Sequence, residues 1–469
     1  MAGLIAYGTH IPHHRLRRSA ISDALGGVAA AGTRSVASYD EDATSMGVEA
    51  ARRAVRHLPA QTRPRRLLFA TATPPYLEKT NANVVHAVLQ LESDVLSIDV
   101  MGSVRSGVAA LVLASESPMP TLAILTDIRT GLPGGSDERD GGDGAAAFVF
   151  GESGAAIADV LAHASTTEEF LDRWRVPGAP AARQWEERFG EHVYGPLADA
   201  AFSDALKQAG LTPSQVDVLV VAGSHTRAVR AFARNAGVEH VADDLTTRIG
   251  GAATAQPGLL LADSLDRATP GQVIVLVVLA DGATTVVLRA TEAISAGRSI
   301  PTVAAQVQAG DDSLAYATFL TWRGALIREP ARRPDPTPPA APPSMRTRSY
   351  KFGFVAHRCT RCGTVHLPAV RICIECRSLD MMERLPMADA VGTLATFTVD
   401  HLAFSPSPPV VSAVIDFDGG GRFSCELTDV NPDDVAIGDR VEMTFRRILT
   451  AGGIHNYFWK ARPVAGGKA

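Results

Sequence analysis

Four of the five cysteines, Cys359, Cys362, Cys373 and Cys376, stand as Cys-x-x-Cys, ten residues, then Cys-x-x-Cys. Each pair points two sulfurs at one centre, so the spacing describes a tetrahedral four-thiolate zinc site. Gly363 supplies the tight turn after the first pair. Four thiolates leave no open coordination position, which makes the expected role structural. A redox-active Cys-x-x-Cys is the competing reading, and the presence of two pairs weakens it. Cys425 stands alone in a strand-like run, Arg422 to Leu427, and reads as a small buried apolar residue. No cysteine precedes Cys359, so thiol chemistry has no seat in the long N-terminal region. His10, His13 and His14 lie beside Arg15, Arg17 and Arg18 and read as a solvated basic segment, not a metal site.

The elements that must hold the cysteines are short. Strand-like runs at Gly392–Val399, Val410–Phe417, Arg422–Leu427, Arg440–Arg446 and His455–Trp459 are separated by turns rich in Gly, Pro, Asp and Asn. This pattern predicts a ribbon over 349–385 followed by a small all-β barrel, an OB-fold, over 386–469. Acidic stretches at Asp416–Asp418 and Asp429–Asp434 argue against nucleic acid on that barrel. Ahead of the ribbon, Arg332 to Ser344 reads RRPDPTPPAAPPS, a proline-rich linker assigned to 331–348 and expected to be extended.

The region before the linker repeats itself. The apolar run Leu67–Ala70 is echoed by Val218–Val221, Thr121–Leu125 by Val273–Leu279, and Asp143-Gly144-Ala145 by Asp281-Gly282-Ala283. These pairs keep their order at a spacing of roughly 140 to 150 residues, which predicts duplicated α/β halves at 1–155 and 156–330. Helical segments such as Asp42–Leu58 and Leu197–Ala209 separate the strands, the pattern of layered helices and sheets.

Net charge is −5, which gives no electrostatic reason to expect nucleic acid. The longest apolar run, Val273–Ala280, falls far short of the roughly 20 residues that span a membrane. The N-terminus, MAGLIAYGTHIP, does not read as a signal peptide, so a cytoplasmic protein without a membrane partner is expected.

From about Gly3 to Ala293 the sequence resembles the thiolase superfamily, in its ketoacyl synthase III and hydroxymethylglutaryl-CoA synthase branch. The resemblance rests on Ala70–Pro75 (ATATPP), Asp99–Leu111 (DVMGSVRSGVAAL), Gly142–Ala146 (GDGAA), His225 and Ile249–Pro257 (IGGAATAQP). It implies a duplicated thiolase-like fold and chemistry on acyl thioesters. It also implies a cysteine nucleophile at the N-terminus of a buried helix, assisted by a histidine and an asparagine. Carried over position by position, the cysteine falls on Val104, the asparagine on Gly251 and the synthases' acid/base glutamate on Ala72, leaving only His225. Ser103 and Arg105 flank Val104. Ser103 is a substitute nucleophile or, more plainly, a helix cap; Arg105 binds an anion or pairs with Asp99 or Asp127. Asp143 and Asp281 read as turn residues that hold the halves.

From Ser349 onward the chain resembles the zinc-ribbon/OB-fold family found beside acyl-CoA-handling enzymes. The double knuckle, Gly392-Thr393, Phe397–Val399, Pro406–Pro409, Ile437-Gly438 and Tyr457-Phe458 carry that likeness. It implies docking on thiolase-type proteins. Together the resemblances point to acyl transfer or carbon–carbon bond formation or cleavage on acyl-CoA without a cysteinyl intermediate, with His225, Ser103 and Arg105 as catalytic candidates. The alternative they leave is an inactive acyl-CoA-binding scaffold that bridges to an active thiolase. A homodimer or a hetero-oligomer with a thiolase-type protein is the expected assembly.

Overall fold

The computed structural model describes residues 2–59, 61–152, 154, 156–332, 334 and 336–464. Parts of three expectations lie outside them: the junction of the halves at 153 and 155, linker positions 333 and 335, and the barrel's end at 465–469. The chain packs as two units. One comprises Met1–Ser38, Asp42–Val85 and Leu91–Ala325; the other comprises Tyr39–Glu41, His86–Gln90 and Leu326–Ala469.

The first unit is built on a nine-stranded sheet whose two halves mirror each other. Outward from its centre, one half runs Gly3–His10, Asp143–Gly151, Thr121–Ile128, Arg66–Thr71 and Leu96–Met101. The other runs Ala158–Thr166, Ala283–Ala290, Val273–Leu279 and Val218–Gly223. Matching neighbours pair in the same sense: antiparallel, antiparallel, then parallel. Each of the three repeats legible in the sequence thus marks a pair of equivalent strands. The halves meet at Leu4 and Ala158.

Helices cover this sheet. In Ala43–Arg56 every residue from Ala43 to Ala54 is buried, so it packs as an inner layer. Its start is fixed by a capping box: Ser45 N–H donates to the Asp42 carboxylate at 2.9 Å, and Asp42 N–H donates to Ser45 Oγ at 2.9 Å. Gly8 lets the helix approach the central strand, since a Cβ there would lie 2.4 Å from Ala54 N. The Gln256–Arg267 helix is buried from Gln256 to Leu265. The helix expected at Leu197–Ala209 begins at Glu187, with Pro196 inside it.

The basic segment near the N-terminus is solvated only in part: Arg17 is exposed, and His13 and His14 are half-buried. Arg15, Arg18 and His10 are buried. Arg15 donates to the carbonyls of His14 (3.0 Å) and Gln306 (3.1 Å), and Arg18 to that of Thr246. Carbonyl acceptors from distant segments replace water for these guanidinium groups.

The second unit holds a three-stranded ribbon (Val355–Cys359, Val365–His366, Met382–Pro386) and a five-stranded barrel. The barrel's order is Arg422–Glu426, Val410–Phe417, Val391–Asp400, Arg440–Ala451, Ile454–Pro463, and Thr428 N–H closes it on the Ala461 carbonyl at 2.9 Å. Its core is aromatic: Phe354 lies 5.0 Å from Phe423 and 5.4 Å from Trp459 between ring centres. The same unit buries charge. Arg446 pairs with Asp40 (3.2 Å), Glu41 (3.0 Å) and Asp429, and Lys460 with Asp40 (3.0 Å) and Glu426 (2.8 Å). Within the proline-rich stretch, Ala341–Arg346 is a short helix where extended chain was expected. Pro342 and Pro343 sit in its first turn, where backbone N–H groups have no intrahelical partner to lose.

Candidate functional site

The parallel strands Arg66–Thr71 and Leu96–Met101 end side by side, with Thr71 opposite Met101. Ala72 and Val104 therefore follow the same carboxyl edge, where open α/β sheets bind their ligands. Val104 is the N-cap of the Arg105–Ser115 helix. A helix N-terminus would stabilise a thiolate, but an isopropyl group occupies the position and packs against the core. Asp127 ties this edge together: it accepts from Thr71 Oγ1 (3.3 Å), from Thr73 Oγ1 and from Thr254 N (3.1 Å).

Ser103 does not cap the helix, which has no side-chain cap; a valine at the N-cap has no acceptor to offer. Arg105 pairs with neither Asp99 nor Asp127. Its guanidinium donates to the carbonyls of Asp281 and Thr166 (3.1 Å) and to Thr167 Oγ1 (2.8 Å). Asp99 is engaged instead by Asn81 and by Ala82 N–H. Arg105 thereby clamps the base of the segment 167–186, which has a small hairpin of its own (Arg173–Trp174 with Arg183–Gln184). Arg175 of that segment donates to the Ala72 carbonyl, and Arg173 pairs with Asp137.

His225 is buried and caps the Thr226–Asn235 helix. Its Nδ1 accepts from Ala228 N–H at 3.1 Å, which places the proton on Nε2, and Nε2–H donates to the Glu187 carbonyl at 2.8 Å. Both ring nitrogens are thus engaged by backbone. Gly190 makes room for the ring: a Cβ there would stand 2.5 Å from its Cδ2 and 2.8 Å from Asp172 Oδ1. Asp172 is buried, and its Oδ1 has no hydrogen-bond partner. Burial raises its pKa, and the charges of His225 and Arg173 only partly offset that. This buried carboxyl carried no signal in the sequence, where Asp172 sits in a loop without motif.

A cavity of about 560 Å³ opens beside these elements. Ser224 and Thr226 line it, as do Gly251, Gln256 and the arginines Arg129 and Arg173; Ser103, Val104 and Arg105 do not. The residues singled out from sequence are therefore divided, with Gly251 and the flanks of His225 on the cavity wall and the Val104 group apart from it.

In the ribbon the four cysteine sulfurs lie within 4.8 Å of one another. Sγ of Cys359 is 3.6 Å from that of Cys376, and Cys362 Sγ is 3.4 Å from Cys373 Sγ. A tetrahedral ion bonded to sulfur at about 2.3 Å sets sulfurs about 3.8 Å apart, so the cluster fits one. Each knuckle turns through a left-handed residue after its second cysteine, Gly363 (φ 81°) and Arg377 (φ 58°). Hydroxyls support the sulfurs: Ser378 Oγ lies 3.1 Å from Cys376 Sγ and 3.3 Å from Cys359 Sγ. Cys425 is outside this cluster, and burial pushes its thiol up to about 12.

Comparison with known proteins follows the same division. The family described as ChsH2, C-terminal OB-fold domain, matches residues 386–446. A hydroxymethylglutaryl-CoA synthase of Methanopyrus kandleri is 28% identical over 299 residues, 60% of this chain and 85% of that protein. A DUF35 domain-containing scaffold protein of Methanocaldococcus jannaschii is 34% identical over 126 residues, 26% of this chain and 89% of that protein. Among solved structures, 3-oxoacyl-[acyl-carrier-protein] synthase III of Aquifex aeolicus superposes with a TM-score of 0.54 at 20% identity, covering 62% of this chain and all of that one. No helix among the described residues is long and apolar enough to cross a membrane.

Proposed function

The chain belongs to the thiolase superfamily through its large region and to the DUF35 family through its ribbon and barrel, and on that premise we propose that it processes acyl-CoA without a covalent acyl-enzyme. The observation that carries this reading is Val104 at the helix N-terminus, where no thiol stands, within a sheet of two mirrored halves. Acyl transfer and carbon–carbon bond formation or cleavage need a held thioester, a base and a donor to the enolate or oxyanion. They do not need the acyl group on the protein. His225 is the donor in this reading: its Nε2–H exchanges the Glu187 carbonyl for the thioester oxygen.

A second reading is favoured by that same bond. A histidine with both nitrogens held by backbone suits a scaffold that binds thioester and bridges to an active thiolase-type protein. The similarity to a protein named as a scaffold supports this reading too. In both readings the four-cysteine cluster holds a structural zinc ion, and the chain works as a homodimer or in a hetero-oligomer with a thiolase-type partner.

A panel of acyl-CoA esters incubated with the purified chain separates the two. The enzyme reading predicts turnover of at least one ester, falling about 100-fold or more in His225→Ala, in line with loss of an oxyanion donor. Thioester binding without turnover, together with co-purification of a thiolase-type protein, selects the scaffold. Absence of binding rejects both.

A further inference from the structure

The barrel of the second unit is filled at one end and hollow at the other, and neither reading above uses the hollow. Strand register sets its interior residues in rows. Leu394, Ile415 and Phe423 stand opposite one another on three neighbouring strands, and all three are large and buried. At the next position on the same face the row is Phe397, Ala413 and Cys425. Two of its three members are small. Small barrels ordinarily fill their interior with side chains, and here the filling stops. The result is a cavity of about 520 Å³, walled by Phe397, Ala413 and Cys425 and, from the two remaining strands, by Ile448 and Phe458.

That size lies within the roughly 300–1,000 Å³ of small-molecule pockets, and a barrel mouth is one of the places where such pockets form. Charge decides what the cavity can take. Among the described residues its wall has two charged side chains, Glu426 and Lys460, and they pair with each other at 2.8 Å. Lys460 is held by Asp40 as well, at 3.0 Å. No charge on the wall is left over to hold an ion, and an ion without a partner would give up its hydration uncompensated. Cys425 senses the same surroundings: the burial that pushes its thiol up to about 12 disfavours charge at this wall in any form. The Cys425 side chain is only half-buried, so solvent reaches it through the cavity. A molecule seated on Ala413 covers that thiol, because the two residues stand opposite each other on adjacent strands.

We propose that the hollow end of the barrel is a binding site for an uncharged apolar small molecule, seated on Ala413 and Cys425 and bounded by Phe397, Ile448 and Phe458. The site is independent of the thioester reading of the large unit, and it stands whether that unit turns over acyl-CoA or only binds it. Cys425 is a contact in this site, not a nucleophile, and the four-cysteine cluster takes no part.

The test is protection of Cys425 from methyl methanethiosulfonate in the full chain, read at that residue by peptide mass mapping. The probes are 1-octanol, octanoate and octyltrimethylammonium, which share one apolar chain and differ in charge, at equal concentration. Octanol slows the modification about five-fold or more, and each charged probe slows it less than about two-fold. Ala413→Leu fills the hollow from the sheet side and removes the protection by octanol. Ile448→Trp fills it from the opposite, half-buried wall and gives the answer if Ala413→Leu does not fold. No protection by octanol, or equal protection by all three probes, overturns the site. Protection that survives both substitutions overturns it too.

Discussion

At the scale of single residues, the four-cysteine cluster was legible in the sequence and the contacts around Val104 were not. Cysteine spacing is local, so two knuckles eleven residues apart read directly as one tetrahedron. Arg105 owes its behaviour to partners that sequence cannot place. Arg105 reaches carbonyls 61 and 176 positions away, and the N-cap position falls on Val104, not on Ser103, which leaves the helix without a side-chain cap. Asp172 was missed for the same reason, since its burial comes from the Glu187–Ala209 helix and His225. Its raised pKa makes a signed prediction. The protonated form is favoured in the folded state, so its contribution is intact below the unfolded value near 4 and is lost as pH rises through the folded value. At neutral pH the fold holds a buried carboxylate oxygen without a partner. Asp172→Asn removes that burden and stabilises the large unit by roughly 1–3 kcal/mol at pH 7. Thermal unfolding followed from pH 7 to pH 3.5 checks it: the gain shrinks to nothing at the acid end.

Elements were easier to read than their ends. Apolar strand runs were found in place because a doubly covered sheet demands continuous hydrophobic sequence. The helix expected over Leu197–Ala209 begins ten residues earlier, at Glu187, and carries Pro196 in its interior at the cost of one backbone hydrogen bond and a ring clash with the preceding turn. Arg15, Arg18 and His10 of the basic N-terminal segment are buried where solvated side chains are expected, because carbonyl acceptors leave no mark on composition. Nor did sequence reveal that Tyr39–Glu41 belongs with the barrel, since that placement depends on the buried Arg446 and Lys460. Arg446→Met leaves Asp40, Glu41 and Asp429 without their shared cation, and it lowers the stability of the second unit by about 3–5 kcal/mol. Denaturant unfolding followed by the Trp459 fluorescence measures this. The ribbon gives an element-scale prediction as well: one zinc ion per chain by elemental analysis. A strong chelator should remove amide-exchange protection over 359–385 while the strands of the large sheet keep theirs.

At the scale of the molecule, duplication is the most informative signal in the sequence, because its three repeats in register mark pairs of equivalent strands. What the duplication could not convey is how far the ancestral chemistry persists. Val104, Gly251 and Ala72 carry no nucleophilic, amide or carboxyl side chain, and His225 directs both ring nitrogens to backbone. The large region shares its fold with 3-oxoacyl-[acyl-carrier-protein] synthase III, and the central proposal is that this chain handles thioesters without a covalent acyl-enzyme. Intact-protein mass spectrometry after incubation with excess acetyl-CoA and butyryl-CoA, at ester concentrations where calorimetry detects binding, tests it most directly. The account predicts an unshifted mass for the chain with thioester bound. A stoichiometric acyl adduct mapped within residues 1–330 would contradict it.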